Sequence, residues 1–210
     1  MRGLMQIVDL THPFDSSIPV YPGDPSPQFR VLAEIGTAGY RLGEITTVLH
    51  AGTHIDAPGH MLGSGAAVAD IPVERFVGRG VLIDVRRKAR IDHDVLSGVE
   101  MRPGDVVLFM SGRSGQYRKP EYFHDGPVVT EACARALVAA GVSMLGIDFA
   151  SPDRPPFPVH RILLEAGVPI VENLASLERL SHHPNFEIIA LPVRLAAEAA
   201  PARVIARIIP

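Results

Sequence analysis

Residues 44 to 60 read EITTVLHAGTHIDAPGH, and both the fold and the chemistry of the chain turn on them. Glu44–Leu49 is β-branched and apolar enough to read as a strand. It runs into His50, His54, Asp56 and His60, four groups able to bind a metal or carry a proton. Their spacing is even throughout. In an extended chain that places side chains on one face, with Thr53, Ile55 and Ala57 on the other. A helix would also bring His50 near His54, but Gly52, Pro58 and Gly59 disfavour one. The segment therefore reads as the end of the Glu44–Leu49 strand passing into a loop, where Gly52 leaves room for a metal or substrate beside the backbone. Imidazole and carboxylate are good ligands for Zn²⁺, Mn²⁺ or Fe²⁺. The two oxygens of Asp56 let it bridge two ions.

Downstream, a second region supplies further donors. Pro-rich loops span Pro13 to Pro27 and Pro152 to Pro158, and long loops in compact domains carry function. His160 follows the second loop. Glu172 ends the apolar run Val168–Val171, where a carboxylate is costly unless it is paired or binds a cation. His182 and His183 precede Pro184 in a polar turn and read as exposed. His93 and His124 have no clustered partners, and His12 reads as structural. Strands are expected at Ile7–Leu10, Glu44–Leu49, Val81–Val85, Val106–Met110, Met144–Ile147, Ile170–Val171, Ile188–Leu191 and Val204–Ile209. Helices are expected from a Thr130 cap through Ala140, stopped by Gly141, and over His160–Ala166 and Leu174–Leu180. Asp92 caps a turn through Ser97. Strands outnumber helices without alternating with them, so the class is a mixed α/β fold.

Length and composition narrow the function. The 210 residues fit one domain, and 47% hydrophobic content builds a core that needs no structural metal. A metal site would therefore serve chemistry. The formal net charge is −3, and the basic cluster Arg86-Arg87-Lys88-Ala89-Arg90 reads as a solvated turn after a strand. Nucleic acid is not an expected partner. No stretch approaches the roughly 20 apolar residues of a membrane span, so no membrane partner is expected either. Cys133, the single cysteine, reads as a buried thiol in an Ala-rich helix. Met1 to Asp9 lacks the extended apolar core of a signal peptide, which makes the cytoplasm the expected compartment.

The chain resembles the cyclase-family metal hydrolases, which include the bacterial kynurenine formamidases (arylformamidases). The resemblance rests on Asp9-Leu10-Thr11-His12-Pro13, Pro19-Val20-Tyr21-Pro22-Gly23-Asp24, the HAGTHIDAPGH segment, Gly146-Ile147-Asp148, His160-Arg161-Ile162-Leu163-Leu164, Val168 through Leu174, and Ala190-Leu191-Pro192. It implies an α/β single domain over residues 1–210, mixed and of the swivelling β/β/α type, assembled as a homodimer or larger homo-oligomer. It implies two divalent ions, Zn²⁺ first and Mn²⁺ next. His50, His54 and Asp56 would hold one ion; Asp56, His160 and Glu172 would hold the other, with Glu172 touching both. His60 would be the proton donor and acceptor. Apart from the resemblance, Asp148 and Asn173 read either as residues that orient the ligands or as structural residues. Tyr21 matches a position where the formamidases carry a substrate-contacting Trp, and this chain has no Trp.

The implied reaction is hydrolysis of a small-molecule C–N bond, N-formylkynurenine giving kynurenine and formate. An activated hydroxide attacks the carbonyl and His60 delivers a proton to the leaving nitrogen. The competing readings are an isatin-type lactam or cyclic imide hydrolase, a natural-product cyclase, and a metal-stabilised binding protein. His60 speaks against the last, because a purely structural site needs no proton carrier.

Overall fold

Side-chain alternation along short strands organises the chain. The computed structural model describes residues 6–210; the first five residues of the Met1–Asp9 segment, read above as lacking a leader, lie outside the described residues. In chain order the strands are β1 (Ile7–Asp9), β2 (Gln28–Ala33), β3 (Leu42–Thr46), β4 (His54–Asp56), β5 (Val77–Asp84) and β6 (Arg90–Ile91). They continue as β7 (Val106–Met110), β8 (Val128–Val129), β9 (Met144–Ile147), β10 (Ile170–Glu172), β11 (Phe186–Pro192) and β12 (Ala199–Ile208). The helices are α1 (Ile35–Ala38), α2 (Glu131–Ala139) and α3 (Pro158–Glu165).

Seven strands close a mixed barrel in the order β12-β11-β5-β7-β9-β10-β4, with β4 pairing back onto β12. Neighbours from β5 through β10 are parallel, and the remaining seams are antiparallel. On β7, Val106, Leu108 and Met110 fill the barrel interior with Met144, Ile188 and Val204. Val107 and Phe109 point the other way, into a second core with Cys133 and Leu137 of α2 and Leu163 and Leu164 of α3. That is the two-residue period of a strand buried on both faces. Gly146 on β9 faces the packed interior, where an added Cβ would stand 2.6 Å from Leu108 Cδ2 and 2.8 Å from Leu174 Cδ1.

Several expectations hold. Thr130 caps α2 by accepting from Cys133 N–H at 3.1 Å, Asp92 caps its turn by accepting from His93 N–H at 2.8 Å, and Cys133 is fully buried. The Arg86–Arg90 segment is an exposed turn anchored by Asp84 and Asp94. No described helix is long and apolar enough to cross a membrane.

The Glu44–Leu49 strand needs correction. It is β3, ends at Thr46, and pairs with β2 in a separate two-stranded ribbon. The donors are therefore not carried on its continuation. His50 lies in a turn, His54 and Asp56 lie on β4, and His60 ends a short 3₁₀ turn begun by Pro58. The Leu174–Leu180 helix reduces to a 3₁₀ turn at Leu177–Leu180. Leu174 N–H is already committed to Ile147 O at 2.9 Å, and Ser176 is left-handed at φ 57°.

Candidate metal centre

The register of β4 against β10 builds the site. Glu172 pairs with His54 and Ile170 with Asp56. Ile55 and Val171 point into the barrel interior, so His54, Asp56 and Glu172 project together from its outer face. All three are buried. The start of α3 covers them and contributes His160. Pro158 begins that helix, where a missing N–H costs nothing. Asp153 does the capping from the loop: its Oδ2 accepts from the N–H of Val159 at 2.6 Å and of His160 at 3.3 Å. Its Oδ1 takes His160 Nδ1–H at 2.5 Å. His160 Nε2 is thereby aimed at Glu172 Oε1, 3.4 Å away, and Asp56 Oδ2, 3.7 Å away.

His54 is fixed in the same manner. Its Nδ1–H donates to Gly52 O at 2.9 Å, leaving Nε2 facing Asp56 Oδ1 at 3.3 Å and Glu172 Oε2 at 3.6 Å. Asn173 Nδ2 donates to the same Gly52 carbonyl at 2.9 Å, and its Oδ1 accepts from Tyr122 OH at 2.8 Å. Gly52 sits at φ 73°, and the space beside it belongs to Phe14, whose ring would lie 2.9 Å from an added Cβ. Its role is a tight turn under an aromatic ring, not the metal or substrate access expected from sequence. Asp148 takes the structural of its two expected roles. It accepts from Ser111 N–H, Ser111 Oγ and Gly112 N–H at 2.6 to 2.8 Å, and so pins a turn rather than a donor.

His50 Nδ1 comes within 2.8 Å of Asp56 Oδ1, and the His60 ring lies 4.2 Å from that of His50. The structure thus brings together all six residues singled out in the sequence. Their closest approaches are short but out of line for hydrogen bonds. Among the described residues, His54 Nε2, both Asp56 carboxylate oxygens and Glu172 Oε1 are buried with no hydrogen-bond partner. Such atoms carry a full desolvation penalty, and a cation at their focus would relieve it. Two sets have donor atoms within 4.8 Å of one another: His50, Asp56 and His60, and His54, Asp56 and Glu172. Asp56 belongs to both, as its two oxygens allow. Imidazole with carboxylate suits a divalent transition ion. This grouping sets His60 beside His50, whereas the sequence reading kept it apart as a proton carrier.

The electrostatics follow from burial and charge. Burial pushes His54 down, but Asp56 and Glu172 outweigh it and lift its pKa to about 9. Burial opposes the charge on His160 too, yet Asp153, Asp56 and Glu172 push it up to about 12. Burial tends to raise Asp56, but the surrounding histidines hold it well below the usual carboxylate range. Glu172 is raised by burial and by Asp56. His60 is pushed down to about 4, by burial first and then by the other histidines, against the pull of Asp56. A pKa that low leaves the ring a neutral imidazole at pH 7.

The cluster floors a cavity of about 300 Å³ whose walls are Tyr21, Phe123, Phe157, Met61 and Ser151, with Asp24 at its edge. Among the described residues its lining includes no lysine or arginine. Tyr21 stands edge-on to Phe123 at 6.0 Å. Of the other histidines, His12 stacks on Tyr117 at 3.8 Å, His93 bonds Asp92 at the surface, and His124 and His182 are exposed, whereas His183, expected to be exposed with His182, is half-buried. Sequence reasoning missed Asp153. An acidic residue just ahead of a Pro-initiated helix that begins with a histidine is the capping signal that could have found it.

Residues 8–154 match the Cyclase family model. The chain belongs to the cyclase family. Over 97% of its length it is 31% identical to kynurenine formamidase of Sphingopyxis alaskensis, covering 99% of that protein. It is 30% identical to that of Salinibacter ruber, over 97% of this chain and 98% of the other. Among solved structures, isatin hydrolase A of Labrenzia aggregata bound to benzyl benzoate superposes with a TM-score of 0.88 at 25% identity, covering 98% of this chain and 94% of that one. A predicted metal-dependent hydrolase of Bacillus stearothermophilus gives 0.81 at 31% identity, over 98% and 99% of the two chains. This cyclase-family chain is thus related to both kynurenine formamidase and isatin hydrolase.

Proposed function

We propose that this cyclase-family chain is a metal-dependent hydrolase of a C–N bond in a flat, aryl-substituted formamide of the N-formylkynurenine type. The observation that carries the reading is the cluster of buried, unpartnered donor atoms on Asp56, Glu172 and His54 at the base of an aromatic-walled cavity. Full-length similarity to kynurenine formamidases supports the substrate class. His50, His54 and Asp56 would hold one divalent cation, and Asp56, His160 and Glu172 the other, with Glu172 contributing to both, Zn²⁺ before Mn²⁺. Such cations supply Lewis acidity and an acidified water as nucleophile.

The remaining work falls to the chain. Asp153 and the Gly52 carbonyl set the tautomers of His160 and His54, so that both Nε2 lone pairs face the donor cluster. Tyr21, Phe123 and Phe157 pack the planar substrate and exclude water. Neutral His60 takes a proton and returns it to the leaving nitrogen, which departs as the aryl amine. We assign the barrel and its helical cover to the swivelling β/β/α class.

A lactam such as isatin is the second reading, favoured by the structural similarity to isatin hydrolase A. Metal analysis together with turnover of N-formylkynurenine, isatin and an aryl ester tests both. The expected result is one to two divalent ions per chain, fewer of both in Glu172→Ala, and fastest turnover of the formamide. Full hydrolytic activity in the metal-free protein would refute the reading.

A further inference from the structure

The aromatic-walled cavity over the donor cluster continues past its own rim. Tyr21, Phe123, Ala150 and Ser151 also line a second cavity, of about 220 Å³. The two are lobes of one depression, with the edge-on pair of Tyr21 and Phe123 as a shared wall. They differ in charge. Beyond the donors themselves, the one charged side chain on the first lobe is Asp24, among the described residues. The second lobe is lined by Arg154. Asp153 lines it too, but both its oxygens are turned onto α3 and His160. Arg154 is exposed, and its Nη2–H donates to the His124 carbonyl at 2.8 Å. That bond ties the guanidinium to the end of the 3₁₀ turn Pro120–Phe123, which supplies Phe123 to the wall. Its remaining N–H groups are left to the lobe. A guanidinium fork of this kind matches a carboxylate two bonds at a time.

We propose that the second lobe is a carboxylate subsite, in which Arg154 takes the acid end of the substrate's side chain and makes the enzyme select aryl formamides with an amino-acid tail over neutral amides and lactams. This rests on the formamidase reading and names its specificity residue. In N-formylkynurenine the formamide and the carboxylate are separated by the ring and an acyl chain. The reacting end can lie over the donors while the acid end passes Tyr21 and Phe123 into the second lobe. In the first lobe that carboxylate would meet Asp24, a like charge, and no cationic side chain. A neutral substrate leaves the guanidinium solvated and gains nothing from it. Arg154 lies away from the reacting bond, so it grips ground state and transition state alike and its effect falls on KM. A charge-assisted bond at so exposed a site contributes about tenfold in affinity.

Steady-state kinetics of the metal-loaded protein on N-formylkynurenine and on ortho-formamidoacetophenone, which lacks the amino-acid end, tests the subsite. Wild type should prefer N-formylkynurenine in kcat/KM, and added salt should shrink that preference. Arg154→Gln should cut the preference about tenfold, mainly through the KM of N-formylkynurenine. Arg154→Glu should cut it further, and Arg154→Lys should restore part of it. Wild type that does not distinguish the two formamides overturns the subsite. So does an unchanged preference in Arg154→Gln: a guanidinium that only braced the Phe123 turn through His124 would raise both KM values together and leave their ratio alone. If neither formamide is turned over, the formamidase reading fails and calorimetric titration with kynurenine and ortho-aminoacetophenone judges the subsite. Tighter binding of kynurenine, lost in Arg154→Glu, supports it; equal binding of the two overturns it.

Discussion

Asp153→Asn removes one charge and almost no volume, and its effect can be worked out atom by atom. Both carboxylate oxygens of Asp153 accept: Oδ2 from the first turn of α3 and Oδ1 from His160 Nδ1–H. An asparagine can present one oxygen and one amide. If the amide faces α3, it meets the N–H groups of Val159 and His160, and the helix loses its cap at a cost of about 1–2 kcal/mol. If the amide faces His160, Nδ1 must accept, the proton moves to Nε2, and the lone pair aimed at Glu172 and Asp56 is lost. Either arrangement weakens the second cation site. Loss of a group that orients a ligand costs about 10–100-fold in metal affinity, or roughly 1.4–2.7 kcal/mol. Metal-buffered titration of the stripped protein should show one site weakened by that factor, with the site built from His50 and His54 little changed. Asp153→Glu should not restore it, since the extra methylene displaces both oxygens from their partners. Two undiminished sites in Asp153→Asn would refute the tautomer argument.

Further outcomes follow from the same geometry. His60→Ala should keep its metals and lose about 10²–10⁴-fold in kcat; metal loss with normal turnover per bound ion would make His60 a ligand, as its place beside His50 allows. Tyr21→Ala should raise KM more than it lowers kcat, because a cavity wall binds ground state and transition state alike; identical kcat/KM values on every substrate would remove Tyr21 from the pocket. In the metal-free protein, His54 is raised to about 9 and His160 is raised further, so both hold protons at pH 7. Metal uptake should therefore release protons into a weakly buffered solution, and affinity should strengthen from pH 6 to 9. A folded-state pKa above the unfolded value near 6.5 stabilises most below pH 6.5. The stability owed to His54 should then decline as pH rises toward 9, seen as a falling Tm of the metal-free protein.

How much of this was legible beforehand differs by residue. His50, His54, Asp56 and His60 were readable because unlike groups crowd a short stretch; Glu172 drew notice as a carboxylate at the end of an apolar run, but it and His160 entered the site only through the family resemblance. The strand that carries two of them was not readable. β4 has only three residues, too few to show a period, and its partners β10 and β12 lie far off in sequence. The even spacing suggested one face for all four groups of the motif, and only His54 and Asp56 obey it; His50 and His60 reach the cluster through turns. β7 and β9 were plain, since strands buried on both faces are continuous apolar runs. β2 was passed over although Gln28-Phe29-Arg30-Val31 alternates polar and apolar, because the short run adjoins a proline-rich segment that reads as loop. Asp153 escaped notice because its importance lies in an orientation, and composition does not record direction.

The three-residue strand that bears His54 and Asp56 is also the seam that shuts the barrel, pairing with β10 on one side and β12 on the other. The donors on β4 and β10 lie more than a hundred residues apart along the chain, so they have no common location until those two strands pair. Forming that seam and assembling those donors are thus the same event. A ligand gripping them would act as a clasp across the last seam, and by mass action would hold shut the joint whose opening would otherwise scatter it.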